Sequence, residues 1–370
     1  MSTTASTTTT ARRYELDHLR VLATFGVILL HTGVIPVVLW RDSVPELVSA
    51  FNVGNAANSL GRFAVNCFFM TSGALLLDPV RRFVLRPQFL RVALPTLTWI
   101  MIYAVANALF RQQELRGVKG GLSDPAELGL GDLVRALVSG PAVYHLWFVY
   151  VLLGIYLTVP LLRALTDRPE PQRLRLLAWF LVLWFIADLL PRWGTWLFED
   201  RFPAAYPAPL AALPTGYIGL FVLGFVLSHY RDRLRVPSLA WLAIAAVGLV
   251  WTFVGVWQAA SHGDPDVYAA YDNLKPPVLM YSVGVFAFFA TRSWGPGPAW
   301  PLVKRLSELS FRIYLVHVLV LHTLRYTTEL GPLVEDRPVV GLPLIYVATV
   351  ALSVLVAWAL DFIKPLRRWI

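Results

Sequence analysis

The stretch YELDHLRVLATFGVILLH, residues 14–31, decides how the whole chain is read. Its middle is almost wholly apolar, yet Asp17, His18 and Arg20 stand at one end and His31 at the other. The apolar run covers residues 17–39, and about 20 mostly apolar residues are what a helix needs to cross a hydrocarbon layer. A charged side chain at the centre of that layer costs about 2.5–3.5 kcal/mol on insertion scales, so ionisable groups within a span face a bundle interior and often mark function. Arg20 and His31 are eleven residues apart. At about 100° per residue they differ by about 20° around a helix and lie about 16 Å apart along it. Both therefore look into one cavity, Arg20 near the cytoplasmic mouth and His31 near mid-membrane.

The rest of the chain agrees with a membrane setting. Of its 370 residues 57% are apolar and 15% charged, with a mean hydropathy of +0.59. Soluble domains run nearer about 45–50% apolar and 25% charged, so a water-soluble globular enzyme is excluded. Apolar runs centre on 17–39, 55–78, 93–110, 144–163, 174–192, 212–230, 238–260, 276–291, 306–324 and 339–362. The expected fold is all-α, a polytopic transmembrane helical bundle of about ten spans. Residues 1–13, opening MSTTASTTTT, read as a disordered cytoplasmic tail, and 14–370 as a single integral-membrane domain.

Orientation follows from the cations. With the amino terminus inside, the inside segments hold 19 Lys and Arg and the outside segments 10, while Arg20, Arg62 and Arg312 fall within spans. Both termini are thus expected in the cytoplasm. The net charge of +9 is spent on topology and contact with membrane lipids, and no nucleic-acid partner is expected. The lone Cys67 excludes a disulfide framework within the chain, and no His-x-x-x-His pair with a neighbouring carboxylate appears, so no metal is expected.

The 16 Å separation suits a long ligand with an anionic head and a reactive tail, such as an acyl thioester on a pantetheine arm. Arginine would hold phosphate through its planar fork, and a neutral histidine would accept a proton from an attacking hydroxyl. The plainer alternative stays open: Asp17 and Arg20 pair at the interface, and His31 bonds a carbonyl of a neighbouring helix.

These residues carry a resemblance. YELDHLRVLATFGVILLH resembles the opening of the acyltransferase-3 family of integral-membrane acyltransferases, whose first helix bears an Arg, ten residues and then a His. RFAVNCFFMTSGALLL at 62–77 resembles the family's second helix, and VLRPQFLRVALPTL at 84–97 its basic loop running into a proline-bearing third helix. HLWFVYVLLGIYLTVPLL at 145–162 and SFRIYLVHVLVL at 310–321 resemble two later family segments. The His-Leu-Trp-Phe string is similar to the branch of sugar O-acetyltransferases of surface-polysaccharide pathways. Two departures stand out: Asn66 occupies an expected proline position, and the arginines are spaced as Arg82, Arg86 and Arg91 rather than as Arg-x-x-Arg.

The resemblance implies transfer of acetyl from cytoplasmic acetyl-CoA to a hydroxyl of an envelope glycan or lipid-linked saccharide, in a bacterial cytoplasmic membrane. It also implies that Arg20 and His31 are needed for activity; on the reading of the residues themselves Asp17 orients Arg20, and His31 acts as general base on the acceptor hydroxyl or transiently carries the acyl group itself. Arg82, Arg86 and Arg91 lie on the donor's side and fit its phosphates, or else set topology and touch anionic lipid. Arg62 is a site candidate that also fits a snorkelling cation. Ser72 fits a hydrogen-bonding role, or with Gly73 close packing between helices. His145 and Trp147 fit acceptor contact at the outer interface, or simple anchoring there. The rival from another class is a glycan or lipid transporter of a polysaccharide pathway, for which inverted repeats or paired broken helices would speak.

Overall fold

The computed structural model describes residues 12–42, 48–110, 143–198, 215–264 and 267–363. Among the described residues every regular element is helical. In chain order these are α1 (Tyr14–Asp42), α2 (Val48–Gly61), α3 (Phe63–Leu76), α4 (Leu85–Phe110), α5 (Trp147–Thr166), α6 (Gln172–Trp184), α7 (Leu190–Phe198), α8 (Thr215–His229), α9 (Ser238–Ser261), α10 (Pro276–Ala290), α11 (Trp300–Thr327), α12 (Leu330–Asp336) and α13 (Pro338–Leu360). Nearly all of the expected tail and the whole of 111–142 lie outside the described residues, as does the basic end at 364–370.

Within the described residues each of the ten apolar runs is helical over most of its length, but the helices differ in length and apolarity. Among the described residues six stretches are long and apolar enough to cross a membrane: Tyr14–Val37, Leu85–Ala106, Tyr144–Thr166, Gln172–Gly194, Ser238–Ser261 and Pro338–Leu360. The other four are α3, α8 and α10, of 14, 15 and 15 residues, and α11, whose 28 residues include Lys304, Arg305, Glu308 and Arg312. The physical reason is position. These four pack against other helices along much of their length, and an interior helix need not match the hydrocarbon thickness or be uniformly apolar. The second run also divides at Arg62 into α2 and α3.

Burial sorts centre from rim. The membrane window of α1 is 61% buried, whereas that of α6 is 17% and that of α9 is 22%. Helix α1 packs on α2, α3, α11 and α13, so residues 14–31 occupy the middle of the bundle. The rim exposes Trp179, Leu183, Leu239, Val250, Val347 and Leu355, as a lipid-facing surface should. One helix crossing depends on glycine: a Cβ on Gly73 of α3 would run into the Phe221 carbonyl of α8. Ser72, its neighbour, is thereby turned towards a cavity on the other side.

Arg312, expected within a span, is satisfied across two helices. It donates to Asp361 Oδ1 at 2.6 Å while Arg305 donates to Oδ2 at 2.8 Å, tying α11 to the end of α13. The hydrogen bond from Arg305, joined by that from Arg312, holds the Asp361 carboxyl below its ordinary range.

Candidate active site

Helices α1 and α11 run parallel, as two contacts at different heights show. At the lower level Arg20 Nη1 donates to Ser307 Oγ at 3.1 Å, and Ser307 Oγ donates to Asp17 Oδ1 at 2.6 Å. Asp17 lies 3.5 Å from Arg20 and accepts from Arg12 Nε at 2.8 Å on its other oxygen. The carboxylate is thus shared between two guanidinium groups and one hydroxyl, which fixes where the Arg20 cation sits. Eleven residues up α1 and ten up α11, His31 and His317 meet with ring centroids 5.2 Å apart. At 1.5 Å per residue both helices place the second level about 15 Å above the first.

A cavity of about 370 Å³ opens at the lower level and reaches towards the upper. Its polar lining includes Arg20, Ser72, Gln88, Arg91, Ser307 and Tyr314, and Phe68, Phe148 and Phe311 supply apolar wall. All three loop arginines are exposed, and of them only Arg91 lines the cavity. Pro95 lies within α4, one turn above Arg91.

The upper level is a knot of imidazoles and phenols. His145 lies 6.3 Å from His31 and 5.3 Å from His317, and Tyr144 lies 5.2 Å from His31, all between ring centroids. His317 Nδ1 sits 2.6 Å from the Tyr314 carbonyl, which can only accept, so this nitrogen carries the proton. Its Nε2 is then the lone-pair nitrogen, and it meets no partner among the described residues. Both ring nitrogens of His145 are likewise buried without a partner, and that residue is only 1% exposed. Tyr314 joins the two levels: it lines the cavity, its hydroxyl donates to the His145 carbonyl, and its ring lies 5.7 Å from His317. Tyr103 of α4 donates to the Leu315 carbonyl at 2.8 Å and pins α11 alongside.

The remaining candidates fall elsewhere. Trp147 packs its ring 5.3 Å from Tyr217 rather than standing at a free surface. Arg62 stacks 4.4 Å over Tyr271 and donates to Asn58 Oδ1 at 2.6 Å, away from the cavity. Asn66, at the expected proline position, donates to the Asn273 carbonyl at 2.7 Å and to Ser282 at 3.1 Å. Among the described residues no group of three or more His, Cys, Asp or Glu is placed to hold a metal ion.

Sequence reasoning passed over Ser307, Gln88, Tyr156 and Tyr314, all of which line the cavity. A serine or tyrosine in an apolar run gives no signal by itself. The one available clue was that Ser307, Ser310, Phe311 and Tyr314 recur at helical spacing below His317.

The comparisons with known proteins bear on this arrangement. Neither the curated proteins nor the solved structures compared with the chain contain a significant match. The acyltransferase-3 family model, described as an acyltransferase domain, matches residues 13–362 and so spans both levels of the site. The chain belongs to the acyltransferase-3 family, as a multi-pass membrane acyltransferase.

Proposed function

We propose that this acyltransferase is an O-acetyltransferase, moving acetyl from cytoplasmic acetyl-CoA to a hydroxyl of an envelope glycan or lipid-linked saccharide reached from the outer side of a bacterial cytoplasmic membrane. The observation that carries this reading is the vertical order on α1 and α11. Arg20, held by Asp17 and Ser307, and Arg91 open to the cavity at one level, and an imidazole cluster stands about 15 Å above it. That order matches a donor whose phosphates and thioester are separated by a long arm.

In this scheme Arg20 and Arg91 grip the phosphates, and Asp17 with Ser307 keeps the Arg20 fork aimed. His31 takes the proton of the acceptor hydroxyl as its oxygen attacks the thioester carbonyl carbon. The carbon–sulfur bond breaks, and the proton returns from the imidazolium to the departing thiolate. His317, with Nδ1 tied to the Tyr314 carbonyl, offers a basic nitrogen beside His31 that steadies the imidazolium. The buried His145, beside His31 and just before α5, stands on the side from which the acceptor arrives, with Trp147 following it at the first residue of α5.

Mass comparison of envelope glycans between a deletion strain and its parent tests the reading. Loss of acetyl increments, restored by the wild-type gene but not by His31→Ala, is expected. Unchanged acetylation together with less glycan at the outer surface would point to transport instead.

A further inference from the structure

The wall of the donor cavity does not stop at Arg20. On α11 the lining residues Ser307, Phe311 and Tyr314 share one helical face, and at about 100° per residue Trp300 lies within about 40° of all three. Trp300 is two turns nearer the cytoplasm, about 10 Å below Ser307, and the exposed Lys304 lies between them on the same face. Arg12 bridges the gap. It donates to Asp17, comes within 3.8 Å of the cavity-lining Glu308, and places its guanidinium carbon 5.0 Å over the Trp300 ring. Tyr14 meets the same indole edge-on at 4.6 Å, and Trp300 remains partly exposed.

We infer that the Trp300 indole, with Arg12 stacked over one of its faces, is the surface on which the adenine base of the acyl donor stacks, Lys304 facing the ribose phosphate. This rests on the acetyl-CoA reading above, because the donor's own order of parts then dictates the place. With the thioester at His31 and the diphosphate at Arg20 and Arg91, the adenosine must emerge on the cytoplasmic side of Arg20. There the continuing wall offers an indole and a guanidinium. A π-surface flanked by cations is what a purine attached to phosphate recognises. A tryptophan at this depth also fits an anchor in the lipid headgroup layer, but an anchor would not distinguish donors with and without a base.

The test measures affinities of acetyl-CoA and S-acetyl-4′-phosphopantetheine, which lacks the nucleotide, for the full chain in nanodiscs. Trp300→Ala should weaken acetyl-CoA roughly ten-fold, Trp300→Phe by less, and neither should move S-acetyl-4′-phosphopantetheine. Adenosine 3′,5′-bisphosphate should compete with acetyl-CoA on the wild type, which keeps the inference testable should the Ala variant fail to insert. Equal losses for both donors would make Trp300 a packing or interface residue and overturn the subsite. So would an unchanged acetyl-CoA affinity, or no competition by the bisphosphate. A wild type that binds neither donor would sink the acetyl-CoA reading itself, a result distinct from all of these.

Discussion

The two levels of the site are built on opposite rules. Around Asp17 every charge has company: Arg12, Arg20 and Ser307 converge on one carboxylate. Around His31 the surrounding imidazoles keep nitrogens that meet no hydrogen-bond partner among the described residues, on His145 and on His317. A buried polar group left unsatisfied costs about 1–3 kcal/mol, so a fold tolerates several in one place only where something else requires them. The comparison teaches a division of labour. The lower level holds a charge in a fixed place, and the upper level keeps lone pairs available for a proton.

The largest way to break that comparison is at the upper level. Replacing His31 with Ala should lower acetyl transfer by about 10²–10⁴-fold, the usual contribution of a positioned base, while the protein still inserts. A base must be neutral to work, so wild-type activity should also fall as acidification protonates the imidazole. Initial rates in nanodiscs across a pH series check both.

At the lower level the effects should be smaller and should appear in donor affinity. Arg20→Ala should raise the apparent KM for acetyl-CoA more than Arg20→Lys, because lysine keeps the charge and loses the fork. Ser307→Ala removes two hydrogen bonds, each of about 0.5–1.5 kcal/mol, that only aim the Arg20 fork, so a shift of a few-fold in KM is expected. The loop sharpens the contrast further: Arg91→Ala should raise KM, while Arg82→Ala and Arg86→Ala should leave it nearly unchanged. Equal effects from all three would mean that the cavity lining does not decide who touches the donor.

Smallest is the cross-tie outside both levels. Asp361→Asn should cost about 1 kcal/mol of stability, since its arginine partners are partly exposed and screened. The Asp361 carboxyl is held below its ordinary range in the folded chain. Its contribution is therefore complete above the unfolded value and is lost as pH falls through the folded one. Thermal unfolding of both forms at neutral and acid pH reads this without touching catalysis.

How much was legible before the structure follows from range. Arg20 and His31 share one helix, so their common face could be read from eleven residues of spacing. Ser307 lies 287 residues from Arg20, and only packing reveals that the two touch. His317 sat in a recognisable segment, but nothing in its sequence says that it meets His31. Positive charge put Arg82, Arg86 and Arg91 on one expected side of the membrane; it could not tell that only the last borders the cavity. His145 looked like an interface residue because it begins a span, whereas Tyr314 and Tyr103 close over it from other helices. About ten spans were expected because composition sees apolar length and not which helices other helices shield.

The central claim is that His31 serves the chemical step and not the packing of α1. The measurement that tests it most directly takes His31→Gln in nanodiscs and records, on the same sample, acetyl-CoA affinity and transfer of labelled acetyl to glycan. Glutamine can bridge helices by hydrogen bonds but cannot shuttle a proton. The account predicts wild-type affinity with transfer all but abolished; a variant as active as the wild type would make His31 structural and contradict it.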